Sequence, residues 1–314
     1  MSSGLLPRPY RQTGGGRRRQ PVRLIRTSAP YARRVRPKPG TRGETVTDQP
    51  DTPHAELLRV ALEAAERAGA LLRDERPASL GVAATKTSPI DVVTEMDLAS
   101  EKLIAAHLAE HRPDDGILGE EGASTTGTSG VRWIVDPIDG TVNYLYGRQD
   151  WAVSIAAELH GERIVGVVSS PPRGQVHHAV LGGGAWLNGE RLRCRPSPEL
   201  GQALVGTGFA YVQERKEVQA RLFAELLPHV RDIRRSGSAA LDLCDVAAGR
   251  LDAFYERGTQ AWDHAAGDLI AREAGALTGG RVGEIGGPEL MVAASPGVFE
   301  RLQPLLDELG AWHD

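Results

Sequence analysis

The chain has 314 residues and a formal net charge of −4, with 40% hydrophobic and 25% charged residues. This composition is typical of a soluble globular protein, and the length suggests about two domains. No apolar run approaches the roughly 18 residues needed to cross a bilayer, so a membrane-spanning helix is not expected. Only Cys194 and Cys244 occur, which argues against a disulfide framework and predicts a cytoplasmic protein.

The charge is unevenly distributed along the chain. The first 43 residues hold twelve of the 37 Arg and Lys but none of the 41 Asp and Glu. Residues 1–50 show no sustained apolar periodicity, and we predict a disordered basic tail. Three interpretations stay open: a solvated extension or a start codon assigned too far upstream, an arm that binds nucleic acid or an anionic surface, and an organelle transit peptide.

Two helices are predicted next. Thr52-Pro53 suits a helix start, and apolar residues continue at helical spacing from Leu57 to Leu72. A second helix is expected from Met96 to His111, where Arg112-Pro113 ends it. Short apolar runs between Gly, Pro and Ser turns then predict strands at 131–135, 151–158, 163–169 and 176–181.

The second half of the chain shows a different order of elements. After a connection at 196–201, strand-like and helix-like segments alternate, at 203–206, 214–227, 238–248, 252–255, 263–274 and 290–293. Such alternation predicts an α/β protein with layered sheets and helices. We therefore expect an N-terminal half at 51–198 and a C-terminal half at 199–314 behind the tail.

The most informative motif is Asp136-Pro137-Ile138-Asp139-Gly140-Thr141, directly after the predicted strand 131–135. Two carboxylates three residues apart can face one point, which suits a hard divalent cation with oxygen ligands. Gly140 and Thr141 offer backbone N–H groups where a helix begins, a suitable position for a phosphate. The alternative is an ordinary turn after a strand.

Four other segments carry charged groups, and each has a simpler explanation. Glu120 and Glu121 follow a short apolar pair and could form a solvated acidic turn. Asp97 and Asp263 could be plain acids at helix starts. The run 233–240 places cations beside a Gly/Ser turn, which could also be a solvated basic turn. The consecutive His177 and His178 lie on a predicted strand and point to opposite faces, so they cannot bind one ion together and a structural or surface role is expected.

Taken in order, these segments closely resemble the inositol monophosphatase family over about residues 54–312. The likeness is greatest to its bacterial members, including those of actinobacteria. The segments that carry it are Lys86-Thr87-Ser88, Asp91 to Thr94 with Asp97, Gly119 to Glu121, Asp136 to Asn143, and Trp262 to Gly267.

The resemblance implies a set of site residues. The magnesium ligands would be Glu120, Asp136, Ile138 through its carbonyl, Asp139 and Asp263. Glu120, Thr141 and Asp97 would be catalytic, with Thr141 and Asp97 orienting the attacking water. Substrate contacts would come from Glu120, Ile138, Asp139, Gly140, Thr141, Arg234, Ala239, Glu256 and Asp263.

The resemblance also implies the fold and the reaction. The expected fold is a five-layer αβαβα sandwich of the inositol monophosphatase and fructose-1,6-bisphosphatase type, as a homodimer. The expected activity is Mg²⁺-dependent hydrolysis of myo-inositol 1-phosphate by a metal-activated water, with two or three ions and inhibition by lithium. The same chemistry on histidinol phosphate, fructose 1,6-bisphosphate or a 3′-phosphoadenosine nucleotide is the alternative, and a nucleic-acid role of the tail is a weaker one.

Overall fold

The computed structural model describes residues 54–86 and 88–312. The predicted tail, the helix start at Thr52-Pro53, and Thr87 lie outside the described residues. No helix in the described part of the chain is both long enough and apolar enough to span a membrane.

Seven α-helices and fifteen strands form in residues 54–86 and 88–312. The helices are α1 (Ala55–Asp74), α2 (Glu95–His111), α3 (Thr141–Leu145), α4 (Gln213–Leu226), α5 (Ala239–Ala247), α6 (Ala261–Glu273) and α7 (Pro296–Glu308). The strands of the first half are β1 (Ala84–Thr85), β2 (Val92–Val93), β3 (Gly116–Gly119), β4 (Ser124–Thr125), β5 (Val131–Asp139), β6 (Ala152–Leu159), β7 (Glu162–Ser170), β8 (Gln175–Val180), β9 (Gly184–Leu187) and β10 (Glu190–Arg191). Those of the second half are β11 (Leu204–Thr207), β12 (Asp232–Arg234), β13 (Ala253–Glu256), β14 (Leu277–Gly279) and β15 (Met291–Ala294).

Two large sheets organise these elements. The first has eight strands in the order β10-β9-β8-β7-β6-β5-β3-β4, and the second has five in the order β12-β11-β13-β15-β14. Neighbouring strands of the first sheet are antiparallel except for β3 and β5, which run parallel. The parallel pair brings the carboxyl ends of β3 and β5 to one place, and both ends carry acidic residues.

Side chains alternate along the strands and fill the spaces between five layers. On β5, Trp133 faces a core with α1 and α2, whereas Ile134 faces a core with α5 and α6. On β13, Phe254 faces α5 and α6, whereas Tyr255 faces α4 and α7. Helices, sheet, helices, sheet and helices therefore follow one another, which confirms the predicted α/β fold with an αβαβα order.

Two features differ from the sequence-based expectations. Strand β5 does not end at Val135 but continues to Asp139, with a register shift between Asp136 and Asp139 opposite β6. The proline between them removes one backbone donor, and the chain bulges there rather than turning. The helix α7 at Pro296–Glu308 was not predicted, although its apolar residues face the outer side of the second sheet.

Close packing of α6 on the first sheet depends on Gly166. A Cβ at this position would lie 2.7 Å from the backbone oxygen of Ala266. We therefore expect Gly166→Ala to lower the free energy of unfolding by about 1–3 kcal/mol through overpacking. Urea unfolding measures the loss, and Gly81→Ala is the control because a Cβ there meets no atom within 4 Å. Equal stability of the two variants would contradict this packing argument.

Candidate active site

The site begins at the carboxyl end of β5. Asp136 and Asp139 are 1% and 8% exposed, and the bulge between them changes the alternation of the strand. The backbone N–H of Ile138 donates to Oδ1 of Asp136 at 3.0 Å. Asp139 accepts from Ser238 Oγ at 2.5 Å and from the backbone N–H of Ala240 at 2.7 Å. Both carboxylates are therefore fixed in position by neutral donors.

Glu120 reaches the same place from the adjacent parallel strand. Gly119 at the end of β3 pairs with Val135 on β5, and the N–H of Glu120 donates to the Val135 carbonyl at 3.1 Å. The buried Glu101 of α2 accepts from the backbone N–H groups of Glu121 and Ala123, each at 2.8 Å. The Glu101 carboxylate therefore fixes the turn that carries Glu120 and Glu121. This turn is not the loosely solvated acidic turn that the sequence alone allowed.

Asp263 comes from the first turn of α6, between the two sheets. Its Oδ2 accepts from the backbone N–H of Gln260 at 2.6 Å, so it is a helix-start acid as well as a site residue. Glu120, Asp136 and Asp263 each offer a carboxylate oxygen within 4.8 Å of the other two. Three oxygen donors from a strand end, a strand and a helix thus converge on a volume that a cation can occupy.

The charges in this cluster are unfavourable without a cation. Burial raises the pKa of Asp136 well above its ordinary value, and Glu120, Asp139 and Asp263 raise it further. Burial, with Glu120 and Asp139, does the same to the pKa of Asp263. Burial raises the pKa of Asp139 to about 6, although its hydrogen bonds to Ser238 and Ala240 oppose the shift. A set of buried like charges fits a divalent cation, which removes the repulsion.

One lysine already neutralises part of this charge. Lys86 Nζ donates to Glu120 Oε1 at 2.7 Å and to Glu121 Oε1 at 2.6 Å. Burial disfavours its charge, yet the two carboxylates raise the pKa of Lys86 above its ordinary value. Burial raises the pKa of Glu121 to about 7, and Lys86 opposes this shift. The motif at 86–88 therefore contributes a cation to the carboxylate cluster.

Gly140 and Thr141 form the turn into α3. Gly140 has φ of 94°, and a Cβ there would lie 2.8 Å from the carbonyl oxygen of Asp150. Both facts require glycine. The Thr141 hydroxyl lies 2.9 Å from Asp97 Oδ1 and 3.0 Å from the Ile138 carbonyl oxygen, and both are acceptors. The hydroxyl hydrogen is thus committed to them, and the lone pairs of Oγ1 stay available.

Asp97 is buried at the start of α2 and belongs to a capping box with Thr94. Its Oδ2 accepts from the Thr94 backbone N–H at 2.8 Å and from the Thr94 hydroxyl at 2.5 Å. Burial nevertheless raises its pKa, against these hydrogen bonds and that from Thr141. The capping role and the contact with Thr141 coexist.

Most of the predicted site residues line one cavity of about 110 Å³, open to solvent. Those in the lining are Glu120, Asp136, Ile138, Asp139, Gly140, Thr141, Ala239, Glu256 and Asp263. Burial together with the charge of Asp139 raises the pKa of Glu256 to about 7. Its carboxylate occupies space that only a glycine leaves, since a Cβ on Gly208 would meet Glu256 Oε2 at 2.0 Å.

Arg234 is not brought to this cavity. It lies on β12 two residues from Asp232, on the same face of the strand, and donates to Asp232 Oδ2 at 2.6 Å. The next residue, Arg235, lines the cavity instead, together with Tyr211. Arg234 is the last residue of β12, whereas Arg235 follows the strand and so is not bound by its alternation. No local signal in the sequence distinguishes the two arginines.

His177 and His178 lie away from this cavity, on β8. They are 0% and 5% exposed, so the surface role allowed by the sequence is wrong and the structural one stands. Burial lowers the pKa of each to about 4, which makes both rings neutral at physiological pH.

The chain is similar to known proteins over most of its length. Residues 54–311 match the model of the inositol monophosphatase family. The inositol-1-monophosphatase of Mycobacterium leprae is 45% identical over 288 residues, covering 82% of this chain and 99% of that protein. The Nus factor SuhB of Escherichia coli is 37% identical over 260 residues, covering 81% and 97% of the two chains.

Solved structures show the same similarity. Mycobacterium tuberculosis SuhB superposes with a TM-score of 0.70 at 44% identity, covering 82% of this chain and 98% of that one. The IMPase of Thermotoga maritima gives 0.73 at 30% identity, with coverage of 82% and 98%.

The raised pKa values predict how pH acts on the metal-free protein. A carboxyl whose folded pKa is raised favours the folded state below its unfolded pKa of about 4. That contribution is lost as pH rises through about 6 for Asp139 and about 7 for Glu256. Between pH 5 and pH 8 the unfolding temperature of chelator-treated protein should therefore fall.

Mg²⁺ should reverse this loss at pH 8, where the carboxylates are ionised. An excess of a hundredfold over Kd would stabilise the protein by about 2.7 kcal/mol, with little effect at pH 5. Thermal unfolding with MgCl₂, compared with KCl of the same ionic strength, measures the difference. Equal stabilisation at pH 5 and pH 8 would contradict the charge argument.

Proposed function

Because the chain belongs to the inositol monophosphatase family, we propose that it hydrolyses myo-inositol 1-phosphate to myo-inositol and phosphate in a Mg²⁺-dependent reaction. Family membership makes it an inositol-phosphate phosphatase. The single observation that supports the detailed proposal is the convergence of Glu120, Asp136 and Asp263 beside Asp139 and the Gly140-Thr141 turn.

The residues present fit Mg²⁺ because all the donors are oxygens. Carboxylates of Glu120, Asp136, Asp139 and Asp263, with the Ile138 carbonyl, would hold it, and two or three ions are expected. When bound, Mg²⁺ supplies charge that neutralises the phosphate, activates water and stabilises the departing oxygen.

The chain's own groups would orient the other reactants. The Gly140 and Thr141 backbone amides would donate to the phosphate oxygens at the start of α3. Thr141 donates its hydroxyl hydrogen to Asp97 and Ile138, so its free lone pair can accept a hydrogen bond from the attacking water. Asp97, held by Thr94, fixes that orientation and can take up a proton through Thr141.

The alcohol would lie on the opposite side of the cavity. The Glu256 carboxylate can accept hydrogen bonds from ring hydroxyls, and Ala239 leaves room for a ring against α5. Arg235 and Tyr211 complete this side and replace Arg234 in our assignment. A polyol monophosphate satisfies both sides at once, with its phosphate at the carboxylate cluster and its hydroxyls at Glu256.

Asp136→Asn should reduce kcat/KM by more than the 10–100-fold that second-shell changes cost at metal sites. The substitution removes a buried anionic ligand while preserving the shape of the side chain. Phosphate release at several Mg²⁺ concentrations measures the effect. Asp114→Asn serves as the matched control because Asp114 is exposed and outside the cavity. Undiminished turnover in Asp136→Asn would rule out this ligand.

Glu256→Gln should lower kcat/KM only for substrates whose ring hydroxyls form hydrogen bonds with Glu256. A hydrogen bond to a charged group contributes about 1.5–3 kcal/mol, so kcat/KM for myo-inositol 1-phosphate should fall about 10–100-fold. The rate for p-nitrophenyl phosphate, which has no ring hydroxyls, should change little.

A comparison of substrates by kcat/KM can identify the alcohol. The native protein should prefer myo-inositol 1-phosphate over histidinol phosphate, fructose 1,6-bisphosphate and a 3′-phosphoadenosine nucleotide, measured as kcat/KM. Preference for one of the other three would retain the hydrolytic chemistry but overturn the proposed substrate.

A further inference from the structure

A second cluster of potential metal ligands lies between α1 and α2, on the outer side of the first sheet. Glu63 of α1 and His107 and His111 of α2 each offer one ligand atom within 4.8 Å of the others. The two histidines are four residues apart, so they share one face of α2. They follow Asp97 by ten and fourteen residues, about 15–21 Å along the helix axis, and the cluster is separate from the candidate active site.

His107 provides an observation that the phosphatase activity does not explain. The residue is 4% exposed, and its Nε2 has no hydrogen-bond partner among the described residues. This nitrogen lies 3.7 Å from Oε2 of Glu63. A buried polar atom without a hydrogen bond is costly, and here it faces a carboxylate at the distance where an ion can lie between them.

The hydrogen bond of His111 leaves one of its ring nitrogens free to bind a metal ion. Its Nδ1 lies 2.9 Å from the backbone carbonyl oxygen of His107, which can only accept, so Nδ1 carries the proton. The lone pair is then on Nε2. Metal-binding histidines are commonly held in this way, with the second ring nitrogen donating to a backbone carbonyl or carboxylate.

We propose that Glu63, His107 and His111 bind a divalent transition-metal ion of the Zn²⁺ class, which links α1 to α2. Two imidazoles and one carboxylate suit Zn²⁺ better than Mg²⁺, which prefers oxygen ligands. A tetrahedral site would leave the fourth position to water. Zn–N bonds of about 2.0–2.1 Å require the ligand atoms to move inward by about 1 Å, and Glu63, half-exposed, has room to do so.

Two arginines contact the proposed ligands. Arg59 Nη1 donates to Glu63 at 2.7 Å, and Arg67 Nη1 lies 2.9 Å from His107 Nδ1. Because a guanidinium only donates, Nδ1 of His107 accepts and Nε2 carries the ring proton. Binding of the ion through Nε2 transfers this proton to Nδ1 and displaces Arg67. Arg59 and Arg67 are exposed, and such surface pairs contribute little stability.

Calorimetric titration with Zn²⁺ tests the proposal, in excess Mg²⁺ so that the carboxylate site is already occupied. One Zn²⁺ should bind per native chain and per chain of the control His229→Ala, which removes an exposed histidine elsewhere. Affinity should fall at least tenfold in His111→Ala and in Glu63→Gln. It should rise several-fold in Arg67→Gln, because the amide carries no charge and can accept the proton of Nδ1.

A second readout separates binding at this cluster from binding at the active site. Zn²⁺ should raise the unfolding temperature of the native protein but not of His111→Ala, while Mg²⁺-dependent phosphatase activity is the same in both. Equal Zn²⁺ affinity in His111→Ala and the native protein would overturn the proposal. So would the absence of Zn²⁺ binding in Arg67→Gln. Neither result bears on the phosphatase assignment.

Discussion

Repulsion between buried carboxylates is the interaction on which the candidate active site depends. Asp136 and Asp139 are almost completely buried, and the charges of Glu120 and Asp263 raise the pKa of Asp136 beyond the effect of burial. Such a group destabilises the folded protein unless a cation binds to it. The folded protein tolerates these carboxylates because backbone N–H groups, the Ser238 hydroxyl and Lys86 form hydrogen bonds with several of them.

The architecture brings these residues together from distant parts of the chain. The parallel pairing of β3 and β5 in a mostly antiparallel sheet places Glu120 beside Asp136. Asp263 reaches them from α6 because that helix packs very closely against its neighbours. Cβ atoms on Gly166 and Gly267 would meet Ala266 and Leu243 at 2.7 Å. Small residues along α6 therefore belong to the construction of the site, although they contact no substrate.

Helical and strand periodicity predicted the α/β elements, and the Asp136–Thr141 motif predicted the centre of the site, because both are local signals. The five-layer order and the other site residues were implied only by the resemblance to the family. The sequence was insufficient where the outcome depends on the end of a strand or on distant packing. The choice between Arg234 and Arg235 depends on where β12 ends, because Arg234 lies on the strand beside Asp232 and Arg235 follows it. Likewise, the support of the Glu120 turn by Glu101 depends on the packing of α2 against β3, which no local pattern encodes.

The two sides of the cavity are built differently, and this bears on how one fold can act on several alcohols. The carboxylate side consists of strand ends and a helix start, whose side chains are fixed by backbone hydrogen bonds. The other side consists of the connection 208–211, the residue after β12, and the last residue of β13. Under the proposed function, changes there would alter shape and hydrogen bonding without moving a carboxylate of the cluster. Hydrolytic chemistry and choice of alcohol would then depend on different residues and could vary independently.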